Sequence, residues 1–305
     1  MPKWFNTAGP CQADIHYMLP PTARLPELLP LIQQRNYFVI HAPRQVGKTT
    51  AMLALAQELT ASGQYLAVML SLETGAPFPN EPDQAQKSIL RQWSNEIRFR
   101  KLPLPTLAQI QAEQGITKLD IQTVLQSWAI ASPLPLVVFL DEIDSLQDQT
   151  LISVLRQLRS GYPNRSGGFP HSLGLIGMRD VRDYKVKSGG SHRLDTASPF
   201  NIKVASLTMG NFSVEEVRSL YQQHTEATGQ IFTPEAIHHA FLLTDGQPWL
   251  VNALARQATE FLVTDRTQPI TREIIDQAKE ILIQRQDTHL DSLAERLREE
   301  RVKTI

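Results

Sequence analysis

Cysteine is nearly absent from this 305-residue chain: Cys11 stands alone, which excludes an internal disulfide and any zinc site built from several cysteines. A chain so poor in thiols suits a reducing compartment, so a cytoplasmic location is expected. Long apolar runs are missing too. The stretch Leu134–Leu140 has the length of a strand, far short of the roughly 18 residues that a membrane span requires. The first residues, Met1-Pro-Lys-Trp-Phe-Asn6, lack an apolar core of the kind that marks a secretory signal. Charge of one sign is not in excess: 30 Lys and Arg against 31 Asp and Glu leave a formal charge of −1. That balance excludes a surface held mainly by nucleic-acid phosphates, although a local basic face remains possible.

What is present is an ordinary globular composition, 42% apolar and 20% charged, and a length of about two domains at roughly 150 residues each. Residues 1–36 are rich in proline (Pro20, Pro21, Pro26, Pro30) and read as an irregular arm followed by a short helix carrying Leu25, Leu28, Leu29 and Ile32. From residue 37 to 208, short apolar and β-branched runs alternate with helical stripes. The strands are expected at Tyr37–Ala42, Tyr65–Leu72, Leu136–Leu140, Ser172–Gly177 and Asn201–Ser206. The helices are expected at Lys48–Thr60, around Leu90, Trp93 and Ile97, at Ile121–Trp128 and at Leu151–Leu158. Such alternation predicts an α/β fold with a mainly parallel sheet covered on both faces.

Beyond Thr208 the strand signals stop. Ser213-Val-Glu-Glu216, Thr233-Pro234, Gln247-Pro248 and Thr271-Arg272 read as helix starts, so residues 209–285 are expected to form a small helical domain. Residues 286–305 place Leu290, Leu293 and Leu297 on one side of an amphipathic helix that docks on its own body or on a partner.

Between the first strand and its helix stands Ala42-Pro43-Arg44-Gln45-Val46-Gly47-Lys48-Thr49, which matches G-x-x-x-x-G-K-S/T with alanine in the first place. A loop that leaves a buried strand and opens a helix aims backbone N–H groups, and the positive helix end, at a phosphate. Lys48 reaches the β- and γ-phosphates, Gly47 permits close backbone approach, Thr49 offers a hydroxyl to Mg²⁺, and Thr50 adds a bond to the α-phosphate. The strand Leu136–Leu140 ends in Asp141-Glu142. In open parallel sheets ligands bind at the carboxyl edge, so these acids are expected beside the loop. Asp141 is expected to hold Mg²⁺ through water, and Glu142 to deprotonate an attacking water.

These motifs resemble the AAA-like P-loop ATPases near the origin-recognition and STAND groups, whose loop reads G-P-R-R/Q-x-G-K-T. The resemblance spans about residues 5–285. It implies the additional-strand sheet order 5-1-4-3-2, with ATP hydrolysis driven by a glutamate. It also implies that Arg179, at the end of Leu173-Gly-Leu-Ile-Gly-Met-Arg179, senses the γ-phosphate. By the same resemblance Pro248 of Gly246-Gln247-Pro248 lies against the nucleotide from a helical lid, and an arm with His16, Tyr17, Pro20 and Arg24 wraps the adenine. A winged-helix or effector region, common after the lid in such proteins, is not expected in the stretch up to Ile305.

Between Arg156 and Arg193 eight Lys and Arg face two acids, Asp180 and Asp183. Three readings of this basic region stand side by side: a solvated face, a contact for DNA or a protein partner, and an arginine finger, Arg182 or Arg193, acting on ATP in a neighbouring copy within a nucleotide-dependent homo-oligomer. The sequence as a whole predicts an Mg²⁺-dependent ATPase whose bound ATP sets the angle between sheet domain and lid. The alternative is a slow nucleotide-gated scaffold or DNA-associated adaptor in which hydrolysis is incidental.

Overall fold

The computed structural model describes residues 3–165, 167–179 and 205–285. The chain divides into two compact units, one comprising 20–209 and the other 1–19 with 210–305.

In the first unit a 3₁₀ turn (Pro21–Arg24) and helix α1 (Leu28–Gln33) lead into strand β1 (Tyr37–His41), which is followed by α2 (Lys48–Ala61) and β2 (Leu66–Ser71). Three helices come next, α3 (Pro82–Phe99), α4 (Leu107–Gln114) and α5 (Ile121–Ala131), and then β3 (Leu136–Asp141). Helix α6 (Asp148–Gly161), β4 (Ser172–Gly177) and β5 (Ala205–Thr208) complete it. All pairings are parallel, in the order β2-β3-β4-β1-β5. This is the 5-1-4-3-2 order of the additional-strand P-loop fold. The expected fifth strand, Asn201–Ser206, is described from Ala205 and continues to Thr208, because Phe38–His41 pair with Ala205–Thr208; residues 201–204 lie outside the described residues.

Alternation along each strand divides the core in two. Tyr37, Val39, Val68, Leu70, Val138 and Leu140 pack under α3, α5 and α6, whereas Phe38, Ile40, Met69, Val137 and Phe139 meet α2 on the other face. Both faces are therefore dry, which is why β3 can be Leu-Val-Val-Phe-Leu-Asp with every residue buried. Helix α4 has no counterpart among the expected elements. Its apolar stripe is weak, with Ile110 alone buried, and it is fixed by a capping box in which Thr106 and Gln109 satisfy each other's backbone N–H groups.

The second unit is helical: α7 (Val214–Thr228), α8 (Pro234–Thr244), α9 (Pro248–Arg256) running into a π-helical turn (Gln257–Leu262), and α10 (Arg272–Gln284). The four expected helix starts coincide with these helices. Ser213 and Glu216 form the reciprocal capping box, and Thr233 accepts from the Ala236 amide. Residues of the N-terminal segment belong here. Phe5 and Tyr17 are buried in this unit's core, with Phe5 5.6 Å from the Tyr221 ring. The tail 286–305 lies outside the described residues. Among the described residues no helix is long and apolar enough to cross a membrane.

Candidate functional site

The carboxyl edge of the sheet assembles the site. Strand β1 stops at His41, and the Ala42 amide donates to the Gly177 carbonyl of β4 at 3.3 Å. Ala42 and Val46 are both 1% exposed and lie in the α2-side core. That burial accounts for alanine at the motif's first position, where a small apolar side chain fits. The chain then turns through Gln45 at φ 66° and Gly47 at φ 93° before α2 begins at Lys48. The left-handed backbone at Gly47 is one that other residues adopt at a cost of roughly 1–2 kcal/mol. The first amides of α2 have no partner within the helix and point back over the loop, the geometry that receives an anion.

Lys48 folds across this loop, its Nζ donating to the carbonyls of Ala42 at 2.6 Å and Pro43 at 2.8 Å. From the opposite side Arg24 donates to the Val46 carbonyl at 3.0 Å. Of the four residues ascribed to an adenine-wrapping arm, Arg24 therefore sits on the phosphate loop itself. His16 and Tyr17 belong to the helical unit.

Strand β3 delivers the acids. Asp141 is 8% exposed; its Oδ2 accepts from the Thr49 hydroxyl at 2.9 Å and its Oδ1 from the Glu142 amide at 2.9 Å. Burial raises its pKa, against the lowering effect of those two bonds and of the Lys48 charge. Glu142 follows in a left-handed conformation at φ 60° and its carboxylate accepts from the Ser71 hydroxyl at 2.9 Å. Burial also raises the Glu142 pKa, with help from the charges of Glu73 and Asp141, while the Ser71 bond lowers it.

Sequence reasoning missed Ser71. It is the register partner of Asp141 across β2 and β3, and its carbonyl accepts from the Trp93 indole of α3 at 2.7 Å. A hydroxyl at the end of the strand beside the Asp-Glu strand was the available signal. A cavity of about 180 Å³ adjoins Thr49, Ser71, Trp93 and Asp141. The donor set suits Mg²⁺, which takes hard oxygen ligands and is typically bound by one or two carboxylates with substrate phosphates. Thr49 and Asp141 already stand in contact, and Asp141 is a buried carboxylate short of positive charge.

Arg179 lies two residues beyond β4, which runs between β3 and β1, so the chain bearing it leaves the sheet between the acid strand and the loop strand. The preceding Met178 amide donates to Asp144 at 3.2 Å. Arg44 and Pro43 are exposed on the loop, and Thr50 lies in the first turn of α2. Pro248 opens α9 in the helical unit, buried, with the Gln247 side chain accepting from the Leu250 amide at 2.6 Å. In the basic region Arg156 and Arg159 are on α6, and Arg165 stacks on Tyr162. Arg182, Lys185, Lys187 and Arg193 lie outside the described residues, and with them both candidate fingers.

No protein-family model matches the chain, and no curated protein matches it. Solved structures do. The Walker-type ATPase PABY2304 of Pyrococcus abyssi aligns over 96% of this chain and 79% of its own, at 13% identity and a TM-score of 0.61. The ORC2 protein of Aeropyrum pernix, solved as ADPNP–ADP complexes, aligns over 85% and 64% at 16% identity and a TM-score of 0.51. A variant of RuvB from Thermotoga maritima aligns over 86% and 68% at 13% identity and 0.50. Together with the sheet order, these likenesses show the fold to be the P-loop NTPase α/β fold with a five-stranded parallel sheet.

Proposed function

We propose that this chain binds ATP with Mg²⁺ and hydrolyses it, and that the nucleotide state controls how the sheet unit engages the helical unit. The observation that carries the reading is the double pairing at one sheet edge, Thr49 with Asp141 and Ser71 with Glu142, beside a helix-opening loop crossed by Lys48. The loop amides and Lys48 bind the phosphates, with Lys48 exchanging its loop carbonyls for phosphate oxygens. Thr49 and Asp141 hold Mg²⁺, which when bound neutralises charge on the phosphates. Glu142 accepts a proton from water as the water oxygen bonds to the γ-phosphorus and the bond to the bridging oxygen breaks, giving ADP and phosphate. Its raised pKa makes it a stronger base than an ordinary carboxylate. Ser71 restrains Glu142 until that moment. Arg179 is assigned to the γ-phosphate and Pro248 to the nucleotide by resemblance.

A second reading is favoured by the same Ser71–Glu142 bond. A base held by a neighbouring hydroxyl suits a slow switch or adaptor in which turnover is incidental, with DNA, a protein or a second copy as partner through region 156–193. Phosphate release measured with and without DNA separates the two readings: turnover of a few per minute or more without DNA supports the ATPase, and negligible turnover under both conditions supports the switch. The single cysteine supports a cytoplasmic setting.

A further inference from the structure

A second cavity, of about 370 Å³, lies at the other edge of the sheet, where the strands begin. Leu136 opens β3, His171 immediately precedes β4, and Arg35 stands two residues before β1; all three line it. The five residues of β1 put it roughly 16 Å from the phosphate loop. Its size is in the range of small-molecule sites, about 300–1,000 Å³. Ile130, Leu134 and Phe169 give it apolar walls, and among the described residues no carboxylate lines it. In a chain with slightly more acids than bases, a cavity with two arginines and no acid is a local concentration of positive charge.

Arg165 is the unusual member. Its guanidinium lies 3.6 Å over the Tyr162 ring and one Nη donates to the Tyr162 carbonyl at 3.0 Å, yet its Nε is buried and has no hydrogen-bond partner. The side chain as a whole is half-buried, so the enclosed Nε–H is one unsatisfied donor of a charge otherwise in contact, and a buried donor without an acceptor calls for a specific explanation. Arg35 takes φ 60° as the left-handed residue that closes α1, its amide donating to the Ile32 carbonyl at 3.0 Å and the Asn36 amide to the Leu31 carbonyl at 2.9 Å, and its exposed side chain lines the cavity. His171 Nε2 donates to the Ile32 carbonyl at 3.1 Å, and burial, assisted by the Arg35 charge, lowers its pKa against the raising effect of that bond.

We propose that this cavity binds a small organic anion, a carboxylate or phosphate monoester on a compact apolar body, with the anion between Arg35 and Arg165 and the body against Leu134 and Phe169. Guanidinium groups match both oxyanions in geometry, which fixes the class of headgroup but not its source. The site is independent of the phosphate loop and stands whether or not the chain hydrolyses ATP.

The test uses the full chain, isotope-labelled for NMR and free of nucleotide, titrated with benzoate, with phenyl phosphate and with neutral benzamide. The expected result is saturable binding of at least one anion with a Kd below about 1 mM. The Arg165 Nε–H signal should move, benzamide should bind at least roughly tenfold more weakly, and Arg35→Gln should weaken the anion by a similar factor. Arg165→Gln, with its fold checked by thermal melting, should do the same; the exposed Arg35 variant keeps the test valid if the Arg165 variant does not fold. Comparing the two anions assigns the headgroup. Benzamide binding as tightly as the anions, shifts confined to residues 42–50, or no saturable shift would each overturn the proposal.

Discussion

The Thr49 hydroxyl donates to Asp141 Oδ2 at 2.9 Å, joining the first turn of α2 to the last residue of β3 across 92 positions of sequence. Asp141 is buried there with one hydroxyl and one amide as its hydrogen-bond partners, and its pKa is raised despite them. A carboxylate under-compensated in this way gains from a cation placed beside it, and Thr49 supplies the second oxygen.

Thr49→Ala should therefore weaken ATP binding in the presence of Mg²⁺ by about 10- to 100-fold, the equivalent of one charge-assisted contact, and leave the weaker binding in EDTA unchanged. Calorimetric titration with and without the metal measures both. Equal losses under the two conditions would remove Thr49 from the metal site.

Glu142→Gln keeps the shape of the side chain and removes the base. ATP binding should persist while phosphate release falls by about 10²–10⁴-fold. Turnover equal to that of the unaltered chain would take the general-base role away from Glu142.

Burial and the charges of Glu73 and Asp141 raise the Glu142 pKa, and Ser71 lowers it. Activity needs the ionised form, so the acidic limb of kcat/KM should lie above the ordinary carboxylate range. Ser71→Ala removes a donor to the charged form and should move the limb to higher pH. Glu73→Gln removes a like charge and should move it lower. Shifts in the same direction for both variants would contradict this electrostatic account.

Gly246 has φ 68°, and a Cβ there would lie 1.9 Å from the Phe212 carbonyl oxygen. Gly229 has φ 80° with nothing within 4 Å of its Cβ position. Gly229→Ala should cost about 1 kcal/mol from backbone strain alone, and Gly246→Ala at least about 3 kcal/mol because backbone must also move. Urea denaturation of the two variants checks the ranking, which fails if their midpoints coincide.

The phosphate loop was legible because its chemistry is local: a strand, a turn and a helix start lie within a dozen residues, and the Asp-Glu pair sits at the end of a run too apolar to be anything but buried. The sheet order came from the resemblance rather than from periodicity. Ser71 was not legible as a site residue, since strand register brings it to Glu142, and Arg24, read by resemblance as part of an adenine-wrapping arm, was not legible as a partner of the Val46 carbonyl, where tertiary packing brings it. Helix α4 escaped because a short helix with one buried residue leaves hardly any apolar period; Thr106 and Gln109 were its only clear mark. Arg165 read as one charge among eight, and only the fold shows its Nε enclosed.

The central claim, that the loop ending in Lys48 is a nucleotide site, is tested most directly by titrating ATP into the full chain with Mg²⁺ in a calorimeter, alongside Lys48→Ala. The account predicts saturable binding of one ATP per chain, weakened by at least about 10-fold in the variant. No heat and no saturation with the unaltered chain, or identical curves for the two proteins, would contradict it.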